Sequence, residues 1–192
     1  MSETDVPKDV VLQRFSGEQA KEIRDTIADV HARGYADAIA TGDPFDSTEA
    51  FMQRFEKYSL NPGFSMVLGV IDDEAVGQAF GWPLAAGTSW WTRLVLAPGQ
   101  PPLDEFTAED GTRTFALSEL MVDKKRHGQG IGGILFRALL TDRPEPRVTW
   151  MVHPANTNAY AIYRHWGAER VGNLRPGPAP QFDVLVLENR WQ

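Results

Sequence analysis

Val10, Val11, Leu12 and Phe15 make Asp9–Phe15 the first apolar stretch of the chain, and it predicts a strand. Ser16 with Gln19 is a capping-box pattern, so a helix is expected to start there. Ala20, Ile23, Ile27 and Val30 keep one face apolar toward Ala40, with Gly34 weakening or bending the helix. Gly42-Asp43-Pro44 breaks the pattern. Asp46 with Glu49 reads as a second capping box, and Phe51, Phe55 and Tyr58 share one face of the helix after it, which Asn61-Pro62-Gly63 ends. Phe64–Ile71 and Ala75–Trp82 flank Asp72-Asp73-Glu74 as a hairpin. Pro83–Thr112 is rich in glycine, proline and acids and predicts an irregular insertion, with Trp91–Ala97 as a candidate short strand. Phe115–Val122 is a mostly apolar strand. Ile131, Ile134, Leu135, Ala138 and Leu139 follow at i, i+3, i+4, i+7 and i+8, one face of a helix. Arg147–Val152 reads as a buried strand, Pro154–Trp166 as a helix with Gly167 at its C-cap, and Glu169–Leu174 as a short strand. Arg175–Pro180 is expected to be a loop, and Phe182–Leu187 a last strand.

Composition narrows the class. A chain of 192 residues with 42 % apolar content is expected to form one domain, 1–192, with 83–112 as its irregular insertion. No apolar run approaches the about 18 residues of a membrane span, and the polar, acidic MSETDVPKDV is not read as a signal peptide. The cytoplasm is the expected compartment. There is no cysteine, which removes disulfides, thiolate metal sites and a cysteine nucleophile. The formal charge of −7 argues against nucleic acid and anionic membranes as partners. A homodimer is allowed by the sequence.

The chemistry gathers between Phe115 and Leu140. Here a strand runs through Lys124, Lys125 and Arg126 into Gly128-Gln129-Gly130-Ile131-Gly132-Gly133 and then a helix. Glycines at such a junction expose backbone N–H groups at the positive end of the helix dipole, an anion site suited to a pyrophosphate. Gly128, Gly130 and Gly133 spell the dinucleotide G-x-G-x-x-G, but the acid expected about 20 residues on is absent, since the next strand ends in Val152-His153-Pro154. No G-K-[ST] follows, which excludes a Walker loop.

HGQGIG, His127–Gly132, resembles the R/Q-x-x-G-x-G/A signature of the GCN5-related N-acetyltransferases, with His127 at the usual Arg or Gln position. Asn156 to Ala168 resembles that family's N-x-x-A-x-x-L/I-Y-x-x-x-G-F segment, with Ala168 in place of the final Phe. The resemblance implies an α/β fold with a central mixed sheet whose fourth and fifth strands, here Phe115–Val122 and Arg147–Val152, are parallel and splayed. It also implies acetyl-CoA as cosubstrate; no metal is expected, because no His/Asp/Glu cluster has metal-ligand spacing. Leu120, Met121 and Val122 would meet the carbonyl and pantetheine arm through backbone, His127 to Gly133 (His127, Gly128, Gln129, Gly130, Ile131, Gly132, Gly133) would hold the pyrophosphate, and Asn156 would bond the pantetheine. Asn156 is equally a plain N-cap. Lys124, Lys125 and Arg126 either steer phosphates or form a solvated turn.

Acetyl transfer to an amine wants a base, because a lysine-like amine with a pKa of about 10.4 is protonated at neutral pH. Glu119, an acid in an apolar strand, is the candidate base; its alternative is structural pairing with an arginine. Tyr163 matches the family tyrosine that protonates the leaving thiolate, and otherwise is core packing. His31 and His165 are expected on helix surfaces. Leu117–Val122, L-S-E-L-x-V, looks like some small-molecule acetyltransferases, so a small amine is the preferred acceptor, with a protein amino group second. Trp90, Trp91, Asp104, Glu105, Glu109 and Asp110 are nominated to stack on or attract it. A non-catalytic acyl-CoA-binding module is the rival from another class.

Overall fold

The computed structural model describes residues 9–174 and 181–191; the segment 175–180, expected from sequence to be a loop, and the first eight residues lie outside them. Among the described residues there are eight strands and seven α-helices, an α/β arrangement with both parallel and antiparallel pairing. The chain divides into two compact units, residues 1–82 with 118–141 and residues 83–117 with 142–192.

The first unit opens with β1 (Val11–Ser16), which pairs antiparallel with β2 (Ser65–Ile71); β2 pairs antiparallel with β3 (Glu74–Pro83). The hairpin turn is made by Asp72 and Asp73, both at positive φ (51° and 63°), the backbone that a tight turn between twisted strands requires. The capping box at Ser16 is present in both directions, Gln19 N to Ser16 Oγ at 3.3 Å and Ser16 N to Gln19 Oε1 at 2.9 Å. The single helix expected up to Ala40 is instead three, α1 (Gly17–Glu22), α2 (Arg24–Gly34) and α3 (Ala36–Ala40), with breaks at Ile23 and Tyr35. Gly34 ends α2 where a Cβ would sit 3.1 Å from the Val122 carbonyl oxygen. The next helix, α4 (Thr48–Tyr58), is capped by Ser47, whose Oγ accepts from Ala50 N, and not by Asp46. Asp43, read from sequence only as part of a breaker, caps the short 3₁₀ turn Pro44–Asp46 before it.

Phe51 and Phe55 of α4 pack on Phe80 of β3, and Ile27 and Val30 of α2 are fully buried beside them. On the other side Ile131, Leu135 and Leu139 bury the apolar stripe of α6 (Ile131–Leu140). Gly77 is what lets α6 come close: a Cβ there would meet Leu135 Cδ1 and the Met121 carbonyl oxygen at 2.9 Å.

The second unit contains β4 (Leu94–Leu96), α5 (Leu103–Phe106), the start of β5 (Thr114–Val122), β6 (Arg147–Val152), α7 (Thr157–His165), β7 (Glu169–Leu174) and β8 (Phe182–Glu188). Hydrogen-bonded order is β1-β2-β3-β5 in the first unit and β5-β6-β8-β7-β4 in the second, with β5 common to both. The parallel pair is β5 with β6, joined over Thr114–Ala116 and Arg147–Thr149 only, although both strands run on. The 83–112 segment is more ordered than its composition suggests. It carries a 3₁₀ turn at Ser89–Trp91, β4 paired antiparallel with β7, and α5.

Candidate active site

The glycine turn hangs from the end of β5. Asp123 N donates to Val76 O at 2.8 Å, and Asp123 Oδ1 accepts from Lys125 N at 2.9 Å, capping the 3₁₀ turn Lys124–Arg126. Arg33 from α2 pairs with the other Asp123 oxygen and also donates to Asp29, Glu74 and the Ala75 carbonyl. Burial pushes the Asp123 carboxyl up, but the Lys125 amide and the Arg33 guanidinium together hold it below its ordinary value. The turn is therefore anchored at its root by ionised groups.

Beyond the root the backbone is bare. Gly128 and Gly130 are in the left-handed region (φ 79° and 77°), and Gly130 is the N-cap of α6. A Cβ on either would meet no atom within 4 Å. The amides of Gly128, Gln129 and Gly130 donate to nothing among the described residues, and those of Ile131, Gly132 and Gly133 open the first turn of α6, where no helical carbonyl precedes them. This donor set, with the exposed Lys125 and half-buried Arg126 in the same turn, fits a pyrophosphate. Two side chains of this stretch are engaged elsewhere. The ring Nε2 of exposed His127 lies 2.9 Å from Val122 O, and Lys124 Nζ pairs with Asp37 at 2.6 Å. Ile131 is 1 % exposed, so only its amide faces outward.

Glu119, Leu120, Met121 and Val122 lead into this turn along β5. Met121 is buried, with its sulfur 3.2 Å from Gln78 Nε2; Leu120 and Val122 are half-buried, and a Cβ on Gly132 would meet Val122 Cγ2 at 3.8 Å. Glu119 keeps part of its surface open, and its side chain makes no hydrogen bond or ion pair among the described residues. Burial pushes its carboxyl up to about 7, opposed by the positive charge of Arg54 and reinforced by the negative charge of Asp46. Glu119 in turn raises the Tyr58 hydroxyl, after burial as the larger cause. Tyr58 stands one helical turn from Arg54 on α4, and its ring meets Trp82 at 4.7 Å. Sequence reading missed Arg54 as a partner of this region and counted Tyr58 only as an apolar position, since on a helix face both look like ordinary amphipathic choices.

Tyr163 and Asn156 belong to the second unit. Tyr163 is half-buried on α7, its ring 5.1 Å from Trp150 and 5.5 Å from Trp166. Asn156 is exposed and caps α7, its Oδ1 accepting from Ala159 N at 3.1 Å.

Two nominations change on contact with the structure. Glu109, expected to attract an amine, is 6 % exposed and accepts from Arg147 at 2.6 Å, Thr114 Oγ1 at 2.9 Å and Trp91 Nε1 at 3.1 Å. Trp91 is itself buried, edge-on to Phe106 at 5.6 Å, so this acid and this indole hold the insertion down and neither is open to a ligand. His31 is not on a surface: it is 1 % exposed, stacked on Phe51 at 4.1 Å and Tyr35 at 4.9 Å. Burial first, and Arg54 second, lower its pKa to about 4, which keeps the ring neutral. A shallow groove of about 370 Å³ between α2 and α4, lined by Arg24, Asp25, Glu49 and Glu56 among others, includes neither Glu119 nor the glycine turn. Among the described residues no group of three His, Cys, Asp or Glu side chains is gathered as a metal site, and no helix is long and apolar enough to cross a membrane.

Comparison with known proteins gives this geometry its context. Over 98 residues the chain is 34 % identical to a GCN5-like protein acetyltransferase of Mycobacterium tuberculosis (strain ATCC 25618 / H37Rv), covering 48 % of this chain and 47 % of that protein; the chain thus spans about half the length of that relative. Its fold matches an acetyltransferase from Thermus thermophilus with a TM-score of 0.60 at 15 % identity, over 94 % of this chain and 97 % of that one. It also matches the PaiA N-acetyltransferase of Thermoplasma acidophilum, solved in complex with coenzyme A, with a TM-score of 0.57 at 12 % identity, over 94 % and 99 % of the two chains. The profile described as the acetyltransferase (GNAT) family matches residues 33–168, from the arginine that anchors the turn to the end of the Asn156–Ala168 segment, and the chain belongs to that family of N-acetyltransferases.

Proposed function

We propose that this chain transfers the acetyl group of acetyl-CoA to the primary amine of a small molecule, by direct attack in a ternary complex. The observation that carries the reading is Glu119: a carboxyl with no hydrogen-bond or ion-pair partner among the described residues, raised to about 7, on the strand that ends in the glycine turn. A base is most effective when its pKa lies near the working pH, and a partnerless carboxylate has its lone pairs available for a proton. Acetyl-CoA when bound supplies a thioester carbonyl and a thiol leaving group. The amides of Gly128 to Gly133 hold its pyrophosphate, with Lys125 and Arg126 adding positive charge. Backbone groups of Leu120, Met121 and Val122 orient the acyl end, and Asn156 the pantetheine. His127 contributes through its backbone, because its ring is turned to Val122 O.

Glu119 takes the proton that the amine loses, directly or through one water. The C–N bond forms as the C–S bond breaks, and the Tyr163 hydroxyl gives the departing sulfur its proton; solvent then resets both side chains. A cysteinyl acyl-enzyme is closed to a chain without cysteine. The cytoplasm, where acetyl-CoA is available, is the compartment this activity calls for. A protein amino group is the second reading, favoured by the mycobacterial relative, which is named a protein acetyltransferase.

Titration calorimetry with acetyl-CoA, followed by an amine panel and a thiol reagent, tests the proposal without thiol background from the protein. Binding with thiol release on small amines is the expected result. Binding with no release on any amine, peptide amines included, would leave a non-catalytic acyl-CoA module; no binding removes the proposal at its root.

A further inference from the structure

The surroundings of Glu119 carry information about the acceptor, and reading them so rests on the activity just proposed. Arg54 is half-buried on α4, and one face of its guanidinium is fixed. Nη1 donates to Phe45 O at 2.9 Å, and Cζ lies 4.1 Å over the Phe45 ring, which is itself 50 % exposed. Nη2 and Nε have no acceptor among the described residues, and Arg54 forms no ion pair there. Of the other half-buried arginines, Arg33, Arg143 and Arg147 each meet a carboxylate, Arg113 donates to the carbonyls of Glu105 and Ala108, and Arg126, in the glycine turn, is without an ion pair among the described residues as Arg54 is.

No carboxylate among the described residues pairs with Arg54. Glu119 feels the charge of Arg54, as do Tyr58 and His31, yet no contact closes between the two. Asp46, at the end of the 3₁₀ turn that carries Phe45, adds negative charge on Glu119. A pair of opposite charges held near each other but apart, in a partly desolvated place, is costly unless something else completes it. Tyr58 and Trp82 supply an aromatic wall beside it.

We infer that Arg54 is a specificity-determining residue that binds an anionic group on the acceptor, so that the acceptor is an amino-acid-like zwitterion whose amine faces Glu119 and Asp46 while its carboxylate meets Arg54. A guanidinium pinned by one edge keeps its remaining edge in the orientation a carboxylate takes up bidentately. The carboxylates on the other side select the ammonium, and Glu119 then takes its proton.

The test uses matched pairs: lysine, glutamate, methionine and phenylalanine, each against its α-carboxamide, with coenzyme A release measured at saturating acetyl-CoA. The amide member has the less basic amine, so protonation alone works against the expected preference. A charge-assisted contact is worth about tenfold or more in kcat/KM in favour of the free acid. Arg54→Gln should bring that ratio to about one, chiefly through KM of the acid, and Arg54→Lys should restore part of it. The ratio cancels any effect Arg54 has on the Glu119 proton, because both members use the same base. Coenzyme A release with no preference for any acid, or a loss in Arg54→Gln that falls equally on acid and amide, overturns the inference and leaves the acetyltransferase reading standing. Release from neither member of any pair, alongside release from amines that carry no anion, overturns it too. Release from no amine at all sinks both.

Discussion

Two glutamates on neighbouring stretches of the chain have opposite circumstances. On Glu109, in the second unit, three donors converge on one oxygen: Arg147, Thr114 and Trp91. Glu119, in the first unit, has a positive charge nearby but no side-chain hydrogen-bond donor among the described residues. The first is a structural tie, its charge met at Oε1 by Arg147 while Oε2 is buried without a partner among the described residues; the second has no such tie and a proton affinity near neutrality. A carboxylate's use is thus written in its partners and not in its burial, for Glu109 is the more buried of the two.

That contrast can be broken by experiment. Glu119→Gln is expected to lower kcat by roughly 10²- to 10⁴-fold, the usual share of a general base, with acetyl-CoA affinity by calorimetry unaffected; full turnover would move the base elsewhere. Glu109→Ala is expected to cost about 3–5 kcal/mol of stability by leaving Arg147 buried and unpaired, visible in urea unfolding, while turnover per folded molecule stays within the error of the assay. If the two variants exchanged these phenotypes, the contrast would be misdrawn.

Tyr163→Phe should slow turnover by about tenfold and no more, since a thiol with a pKa of about 8.5 leaves tolerably without help; stopped-flow release of coenzyme A reads this directly. The smallest effect is in the pH dependence. Glu119 must lose its proton to act, so kcat/KM should rise toward a plateau above about 7, and that inflection should vanish in Glu119→Gln. Stability moves the other way. A carboxyl raised from 4.5 to about 7 on folding holds its proton more tightly in the folded state, so its contribution is complete below 4.5 and is lost as pH rises through 7. Melting temperatures of wild type and Glu119→Gln, compared from pH 4.5 to 8, should shift in favour of the variant as pH rises.

Much of this was legible in the residues, and the limits of legibility have physical causes. The Ser16–Gln19 box, the Asp72–Asp73 hairpin, the glycine turn and the Asn156 cap depend on neighbours a few positions apart, so local chemistry identifies them. Glu119 stood out because a strand otherwise buried on that face contains one acid. What escaped was set by distant partners. Glu109 looks like a loop acid until Arg147, 38 positions away, is beside it. Arg33 becomes the root of the turn through Asp123, 90 positions on. The same holds for Arg54, whose meaning comes from what it does not touch.

Arg33 also sets a clock on the glycine turn. The amides of Asp123 and Lys125 are bonded to Val76 O and Asp123 Oδ1 beneath an arginine that clasps four acceptors, so they exchange with solvent deuterium only when that junction opens. The amides of Gly128, Gln129 and Gly130 have no such cover. Along one short turn the protein therefore has a slow root and a fast tip, and a bound pyrophosphate would have only the tip left to slow.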